Sequence, residues 1–412
     1  MKPVDGTVLV IGGGAREYHE HLLRPAALRA DLWLLDAAAP TWQSPHLAGA
    51  TQVDPGDINA LVATARSVAA SRKVRGVLCH EEALIQAAAQ LAEVLDLPGP
   101  SVTAVRNCRD RHRTRALLRD AGLPQPRFAL VADPAEAAAA AEWLGYPAVA
   151  EPRRPGAVRG AVLVRSAADL AGLCADARSA HCPGVSAYRA GILVEEYLDG
   201  PEIGVDGVVH DGTYAPMFVA RKEAGRTPYR AETGHLVDAR DPLIDDPALR
   251  WVLAETHRAL RITDAVTHTE VRLTARGFVV IGVNCGLGGD LIPRLGGIAT
   301  GIDPGLVALD VALRTPPDLT PAHRRVAGIR FSHPAGHCRV DRVTVPAPDG
   351  AAGLLRAAAL AAPGDVLRPP PLGRLQPYAY VLCSAGSRAE CTARLDAAEG
   401  QVVIHAQPLD LT

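Results

Sequence analysis

The first hundred residues alternate short apolar runs with longer segments in which apolar side chains recur at helical spacing. Such runs are typical of buried strands, and such spacing is typical of amphipathic helices. The predicted strands are Thr7–Ile11, Leu32–Leu35 and Val74–Leu78, and the predicted helices run from Arg16 to about Ala30, over Asn59–Ala70 and over Glu82–Leu95. This alternation predicts an open parallel α/β sheet. Gly12, Gly13 and Gly14 follow the first strand but lack the lysine and the spacing of a phosphate-binding loop, so we expect a structural turn.

Residues 101–190 predict a small α+β unit, because helical and strand patterns alternate there without long buried runs. The predicted elements are the helix Arg109–Asp120, the strand Phe128–Val131, the helix Pro134–Leu144, the strand Tyr146–Ala150 and the helix Ala168–Ala177. Gly122 follows the first of these helices, where a left-handed residue commonly ends a helix.

Residues 191–315 are richer in strand patterns. The predicted strands are Ile192–Tyr197, Ile203–Val209, Ala215–Arg221, Thr267–Leu273 and Phe278–Val283, and the predicted helices are Pro247–Leu260 and Pro304–Leu313. Asp211-Gly212 between two of these strands predicts a hairpin, because this dipeptide readily adopts the positive φ values of a tight turn.

A linker beginning at Thr315-Pro316-Pro317 precedes a last predicted α+β unit over residues 320–412. Its predicted strands are Val326–Phe331, Tyr378–Cys383 and Val402–His405, and its predicted helices are Gly353–Ala361 and Arg388–Ala398. The pattern therefore divides the chain into four units, at residues 1–100, 101–190, 191–315 and 320–412.

Composition narrows the functional classes. The formal net charge is −2 and no block of like charge occurs, which argues against a nucleic-acid surface. No run of about 18 apolar residues is present and the N-terminus lacks a signal-peptide pattern, so we expect a cytoplasmic protein without a membrane span. The eight cysteines show no zinc spacing, which predicts free thiols in a reducing compartment.

Four segments resemble motifs of the ATP-grasp ligases, most closely the L-amino-acid (dipeptide) ligase branch of the carboxylate–amine ligases. They are Cys108–Pro126, Leu193–Glu202, Glu232–His235 and the pair Thr267–Leu273 with Asn284–Pro293. The resemblance implies an N-terminal pre-ATP-grasp α/β domain (1–100), an ATP-grasp lid subdomain (101–190), an ATP-grasp large subdomain (191–315) and a small C-terminal α+β domain. It also implies ATP and Mg²⁺ as cofactors, a small amino-acid-like substrate and, as in many such enzymes, a homodimer.

The resemblance assigns roles to individual residues. Arg111 stands at a phosphate-contacting position, Glu195, Tyr197 and Glu202 at the adenine and ribose positions, Glu270 and Asn284 at magnesium positions, and Glu232 and His235 in the amino-acid pocket. A carboxylate and an amide oxygen suit magnesium when phosphates complete its shell. The alternative in each case is a structural role. Glu195 and Glu202 would then form an acidic hinge, and Arg111 a solvated helix charge. Glu270 and Asn284 would form a polar contact between strands, and His235 would be a loop histidine.

Three positions depart from the ligase motifs. Glu151 replaces the lysine expected to contact the α- and β-phosphates, Gly282 replaces a metal-binding glutamate, and Gly286 replaces the arginine expected to stabilise an acyl phosphate. These departures bring two new reactive side chains to the site, Glu151 and Cys285, and Cys285 stands where the motif has proline. Glu151 is thus an acid–base candidate, and Cys285 is a candidate nucleophile or a small buried thiol.

Three functions remain open from the sequence. The first is a carboxylate–amine ligase in which arginines replace the lost cations. The second is an ATP-independent isomerase, lyase or hydrolase that uses Glu151, His235, Glu270, Glu232 or Cys285 in the former amino-acid pocket. The third is a non-catalytic partner subunit. ATP-dependent phosphate release, turnover without nucleotide, and binding without turnover discriminate among them.

Overall fold

We describe the fold from a computed structural model. It describes residues 4–131, 133–153, 162–170, 191–224, 232–350, 353–369 and 376–409. Within these residues the strands form a parallel sheet near the N-terminus, two antiparallel sheets through the middle of the chain, and a small antiparallel sheet near the C-terminus. The combination of an open parallel sheet with antiparallel sheets confirms the predicted fold class.

The N-terminal sheet is parallel, as predicted, and has one strand more than the sequence pattern indicated. Its strands, in spatial order, are Gly49–Gln52, Asp31–Asp36, Thr7–Ile11 and Val74–Leu78. The helices of this region are Arg16–Ala27, Ile58–Ser71 and Ile85–Val94, with 3₁₀ turns at Ser44–His46 and Glu82–Leu84. The strand Gly49–Gln52 was not predicted because it is short and carries no apolar run.

Two helices, Val102–Arg109 and Arg111–Asp120, stand where a single helix over Arg109–Asp120 was predicted. Asp110 separates them with an extended backbone, and its side chain accepts a hydrogen bond from the Arg113 amide at 3.1 Å. An aspartate cap of this kind satisfies an amide that the first turn leaves without a helical partner. Asp110 therefore fixes where the Arg111 side chain leaves the second helix.

The lid sheet is antiparallel, in the order Phe128–Val131, Ile192–Glu196, Ala148–Pro152 and Val162–Val164. The helix Pro134–Leu144 was predicted with these bounds, and Ala137 and Ala141 pack in the core of the lid sheet. Glu151 lies inside its strand, whereas the sequence pattern ended that strand at Ala150. The predicted helix Ala168–Ala177 lies mostly outside the described residues.

The large sheet has eight antiparallel strands. In spatial order they are Gly277–Asn284, Ala265–Thr274, Glu202–His210, Thr213–Ala224, Glu232–Asp238, Val326–Ser332, Ala379–Ala385 and Leu354–Ala359. Its helices are Pro247–Ala259, Ile292–Thr300, Pro304–Ala312 and Arg388–Glu399, with a 3₁₀ turn at Pro242–Asp245. Strands from residues beyond 320 thus continue the same sheet that carries the candidate site.

The predicted helix Gly353–Ala361 is wrong, because Leu354–Ala359 is an edge strand of the large sheet. Its alanines favour a helix locally, yet the segment pairs with the fully buried strand Ala379–Ala385. The small sheet Val366–Leu367, Cys338–Thr344 and Val403–Pro408 completes the described C-terminal region.

Two adjacent helices resemble a membrane span when they are taken together. Taken together, Ile292–Thr300 and Pro304–Ala312 have the length and composition of a membrane span, but they bend by 105° at their junction. Within the described residues, no single helix is both long and apolar enough to cross a membrane.

Candidate functional site

The candidate site begins on three neighbouring strands of the large sheet, where charged side chains meet. Lys222 Nζ lies 2.6 Å from Glu202 Oε1 and 2.5 Å from Glu270 Oε1, and the lysine side chain is only 5% exposed. Arg272 Nη2 contacts the second Glu202 oxygen at 2.6 Å. Lys222 therefore links Glu202, which was predicted to contact the ribose, with Glu270, which was predicted to bind the metal. The sequence analysis gave Lys222 no role.

The Lys222 ammonium is the main reason why the pKa of Glu270 is lowered to about 2, against the opposing effect of burial. Glu270 stands opposite Gly282 in the strand register. A Cβ atom at Gly282 would lie 2.5 Å from Glu270 Oε2. The Glu270 carboxylate thus lies in the space that a larger side chain at position 282 would need.

Glu151, which replaces the lysine of the ligase motif, forms an ion pair with Arg111. Glu151 Oε2 lies 3.0 Å from Arg111 Nη1, and the carboxylate side chain is 4% exposed. Burial raises the pKa of Glu151 to about 7; Arg111 opposes this rise, and Glu195 adds to it. The other oxygen, Oε1, is buried and has no hydrogen-bond partner within the described residues. Arg111 and Glu151 therefore neutralise each other at the two predicted phosphate positions.

Arg153, the one neighbouring arginine within the described residues, does not pair with Glu151. Arg153 binds Asp110 through two nitrogens at 2.7 to 3.0 Å, and the Arg153 carbonyl accepts the Arg111 amide at 2.9 Å. These contacts fix the start of the helix that carries Arg111. Arg154 and Arg159, the other arginines near Glu151 in the sequence, lie outside the described residues.

Glu195 is held by a buried arginine. Arg115 Nε and Nη2 donate to the two Glu195 oxygens at 2.5 and 3.2 Å, and Arg115 is 2% exposed. Its Nη1 and Nη2 also donate to the carbonyls of Val280 and Ile281, at 3.0 and 2.7 Å. Arg115 thus joins the lid strand to the large sheet. Tyr197, the predicted adenine neighbour, follows that lid strand and is half-buried.

A buried histidine lies two residues before Glu270 on the same strand face. His268 Nδ1 is 2.6 Å from Asp206 Oδ1, and Asp206 also accepts the Gly288 amide at 3.2 Å. Burial lowers the pKa of His268, but Asp206 more than offsets it, so the net direction is upward. The dyad joins the strand face to the glycine loop after Asn284. Asn284 pairs with His268 in register, and its side chain has no hydrogen bond to a described residue.

His235 is fully buried and pairs with Lys222 in the strand register. Its Nε2 lies 3.8 Å from Asp290 Oδ2, and its ring meets the edge of Phe331. Burial raises the pKa of Asp290, but the contact with His235 outweighs it and the pKa is lowered. Glu232 begins the same strand as His235, and its side chain lies outside the described part of the chain.

Cys285 lies apart from these charged groups. It is buried in the core, and its Sγ is 3.5 Å from Cys108 Sγ. It borders an apolar cavity of about 60 Å³ that also contacts Cys79 and Ile85. A Cβ atom at Gly286 would lie 2.7 Å from Ile85 Cδ1. The Ile85 side chain thus fills space that the arginine expected at position 286 would need.

Two side chains of the candidate site were not singled out from the sequence, although each left a signal there. Lys222 is one of three lysines in the chain, against 40 arginines. His268 stands two residues from Glu270 on a predicted strand, and this spacing puts both on one face.

Four described side chains are the ones that could hold a nucleotide and one metal ion. Arg111 and Lys222 are cations, and Glu270 and Asn284 supply a carboxylate and an amide oxygen. Gly282 supplies no bridging carboxylate. Within the described residues, no three His, Cys, Asp or Glu side chains cluster as metal ligands.

Comparison with known proteins supports the resemblance read from the sequence. Residues 144–294 match the ATP-grasp domain family. The chain is 27% identical to a phosphoribosylamine–glycine ligase of Streptomyces coelicolor, over 98% of this chain and 92% of that protein. It is 26% identical to an alanine–anticapsin ligase of Bacillus subtilis, over 50% of this chain and 47% of that protein. It covers 56% of a Sinorhizobium fredii relative that is 28% identical over 68% of this chain.

Solved structures show the same fold over the whole chain. An L-amino acid ligase from Bacillus licheniformis has a TM-score of 0.80 at 22% identity, covering 99% of this chain and 100% of that one. A biotin carboxylase domain from Hydrogenobacter thermophilus, solved with MgADP and bicarbonate, has a TM-score of 0.70 at 15% identity, covering 98% and 91%. This chain therefore carries an ATP-grasp domain within an ATP-grasp fold, and it resembles the amino-acid ligases of the carboxylate–amine kind.

Proposed function

We propose that this chain acts on a small amino-acid-like carboxylate as a carboxylate–amine ligase, joining it to an amine by an amide bond. The observation that carries the proposal is Lys222, a buried cation held between Glu202 and Glu270. Lys222 supplies positive charge beside the paired strands Ala265–Thr274 and Gly277–Asn284. These strands carry one metal-binding carboxylate fewer than the ligase motif, because Gly282 replaces a glutamate. The resemblance to amino-acid ligases supports the same conclusion.

Each charged residue of the site has a task in this proposal. Arg111 and Lys222 bind phosphate oxygens, Glu202 and Tyr197 contact the nucleoside, and Glu270 with Asn284 holds one magnesium ion. Glu232 and His235 are assigned to the amino-acid pocket on the motif resemblance, and the His268–Asp206 dyad fixes the glycine loop through Gly288. ATP, when bound, would activate the substrate carboxylate toward the amine.

Glu151 is the residue that the proposal must accommodate. Its pKa, raised to about 7, allows it to take up a proton near neutral pH. A protonated Glu151 donates a hydrogen bond and leaves Arg111 free to bind phosphate. The ligase proposal therefore requires proton uptake when nucleotide binds.

The first test is a calorimetric titration of the protein with a non-hydrolysable ATP analogue, with and without magnesium. We expect micromolar binding that needs magnesium, followed by phosphate release when carboxylate–amine pairs are screened with ATP. Absence of binding even at millimolar nucleotide would exclude the ligase proposal.

The Arg111–Glu151 ion pair favours a second candidate, an ATP-independent enzyme in the same pocket. A buried carboxyl that titrates near pH 7 is suited to acid–base catalysis, and Glu270, His235, Glu232 and Cys285 are the other candidate groups. Turnover of an amino-acid-like molecule without nucleotide would support it. Tight ligand binding or a stable protein complex without turnover would instead indicate a non-catalytic partner subunit.

The metal site gives a prediction of its own. The substitution Gly282→Glu restores a second carboxylate beside Glu270, which must turn aside because the new Cβ would lie 2.5 Å from its Oε2. We expect magnesium binding to tighten by about tenfold or more, because affinity rises with the number of charged ligands. Gly282→Gln is the matched control with the same bulk and no charge. Equal magnesium affinity in the two variants would contradict the expectation.

The proposal includes a cytoplasmic setting and a homodimer. The described cysteines are all free thiols, which suits a reducing compartment. Sedimentation of the purified protein tests the dimer.

A further inference from the structure

The N-terminal sheet contains a topological switch point. Its first three strands in chain order run outward from Thr7–Ile11 to Gly49–Gln52, and the fourth strand, Val74–Leu78, returns to the other side of Thr7–Ile11. In open parallel sheets, ligands bind in the crevice outside the carboxyl ends of the strands at such a reversal. Gly12–Gly14 and Cys79–Glu81 follow the two strands that border it.

Unpartnered polar atoms lie at this crevice. Both ring nitrogens of His21 are buried without a hydrogen-bond partner within the described residues, and so is Nε2 of His80. His80 follows the strand Val74–Leu78, and His21 comes from the helix Arg16–Ala27. Buried polar atoms nearly always have partners, because leaving one unsatisfied costs about 1–3 kcal/mol. Three such atoms together indicate a missing ligand group.

A cation approaches the same place from the large sheet. Arg294, on the helix Ile292–Thr300, is half-buried and forms neither a hydrogen bond nor an ion pair with any described residue. After burial, the Arg294 charge is the largest contribution to the low pKa of His21, which is about 3. His21 is therefore neutral at physiological pH, and Arg294 supplies the charge of this cluster.

The nearby carboxylates are already engaged. Glu17 pairs with Arg356 and accepts from the Tyr380 hydroxyl. Glu20 pairs with Arg16 at 3.0 Å and with His46 at 3.6 Å.

The remaining acids of the crevice face its glycine turn. Asp36 accepts the Gly13 amide at 2.6 Å and the Ala38 amide at 3.2 Å, while Glu81 packs against Gly12. Within the described residues, Arg294 is thus left without an ion pair of its own, although the charges of Glu17 and Glu20 act on it, and the neighbouring histidine nitrogens can donate.

We propose that Arg294, His21 and His80 form a subsite for an anionic group, a carboxylate or a phosphate ester, on the substrate or on its amine partner. The inference rests on the proposed function in one respect, since it adds this second anionic group to the amino-acid-like substrate. Arginine suits either anion because its planar donors match paired oxygens. The two histidines contribute neutral N–H donors that discriminate by geometry.

The test is anion binding without nucleotide, measured by calorimetry with two probes, inorganic phosphate and succinate. We expect at least one probe to bind, and Arg294→Gln to weaken it by about tenfold or more, the loss of one charge-assisted hydrogen bond. Arg24→Gln, an exposed arginine on the helix that carries His21, is the matched control and should leave affinity unchanged. Preference for phosphate or for succinate identifies the anion class.

Two results would overturn the proposal. One is equal affinity in Arg294→Gln and the unchanged protein, and the other is no binding of either probe at millimolar concentration. Arg294 has no described partner to lose, so the variant should fold, and its thermal unfolding checks this. Because the assay contains no ATP, its failure is distinguishable from failure of the ligase proposal, which the nucleotide titration measures.

Discussion

The substitution Glu151→Lys is expected to raise the affinity of this protein for ATP by about 100-fold. It removes a carboxylate that lies 3.0 Å from Arg111 and adds a cation at a phosphate position. Two unit charges about 4 Å apart interact with roughly 4 kcal/mol at an effective dielectric near 20, so a gain of about 100-fold needs only part of this energy. Titration with a non-hydrolysable ATP analogue at pH 8 measures the change.

Two controls separate a local effect from a change in overall charge. Glu142→Lys makes the same charge change at an exposed position of the helix Pro134–Leu144 and should alter ATP affinity little. Glu151→Gln removes the carboxylate without adding a cation and should give an intermediate gain. Equal ATP affinity in Glu151→Lys and Glu142→Lys would mean that Glu151 does not face the nucleotide.

The pH dependence gives an independent check of the same site. Because the pKa of Glu151 is raised to about 7, the carboxyl is protonated below that pH and ionised above it. The unchanged protein should therefore bind ATP more tightly at pH 6 than at pH 8. This difference should become smaller in Glu151→Lys, whose side chain stays charged over that range.

The second large effect is on stability. Arg115→Leu should lower the free energy of unfolding by about 3–5 kcal/mol, the usual cost of leaving one buried charge unpaired. Arg115 binds both Glu195 oxygens and two strand carbonyls, so its loss leaves four buried acceptor contacts unmade. Urea unfolding monitored by circular dichroism measures the change.

Arg119→Leu is the matched control, because Arg119 lies on the same helix and pairs with the exposed Asp120. It should change the free energy of unfolding by no more than about 1 kcal/mol. The double variant Arg115→Leu with Glu195→Leu should recover part of the lost stability, since no unpaired charge remains. A small effect of Arg115→Leu, similar to that of Arg119→Leu, would contradict the assigned role.

Much of the fold was predictable because its elements carry local signals. The helices that begin at Pro134, Pro247 and Pro304 each follow an aspartate cap, and proline suits the first helical turn. The strand Phe128–Val131 was predicted with its observed bounds. The edge strand Leu354–Ala359 was missed because its alanines indicate a helix, and only pairing with a distant strand overrides that preference.

The sequence allowed candidate site residues to be named only at positions that belong to the ligase motifs. Arg111, Glu202 and Glu270 were found from the resemblance, whereas their ion partners Glu151, Arg272 and Lys222 depend on which strands and helices come together. His268 was missed because its partner, Asp206, lies 62 residues away in the chain. The packing of Ile85 against Gly286 likewise depends on contact between regions that are far apart in the chain. Such pairings are set by tertiary packing, which local patterns do not encode.

The continuity of the large sheet limits how this chain can be divided. Val326–Arg330 pairs with Gly234–Asp238, and Ala379–Ala385 pairs along the whole of Val326–Ser332. A fragment that stops near residue 320 would leave unpaired those main-chain amides and carbonyls of Gly234–Asp238 that bond to Val326–Arg330, and unprotected strand edges promote aggregation. Expression of the first 320 residues alone should therefore give insoluble protein. The last 90 or so residues act as the structural completion of the sheet, so they cannot be exchanged or removed as an independent module.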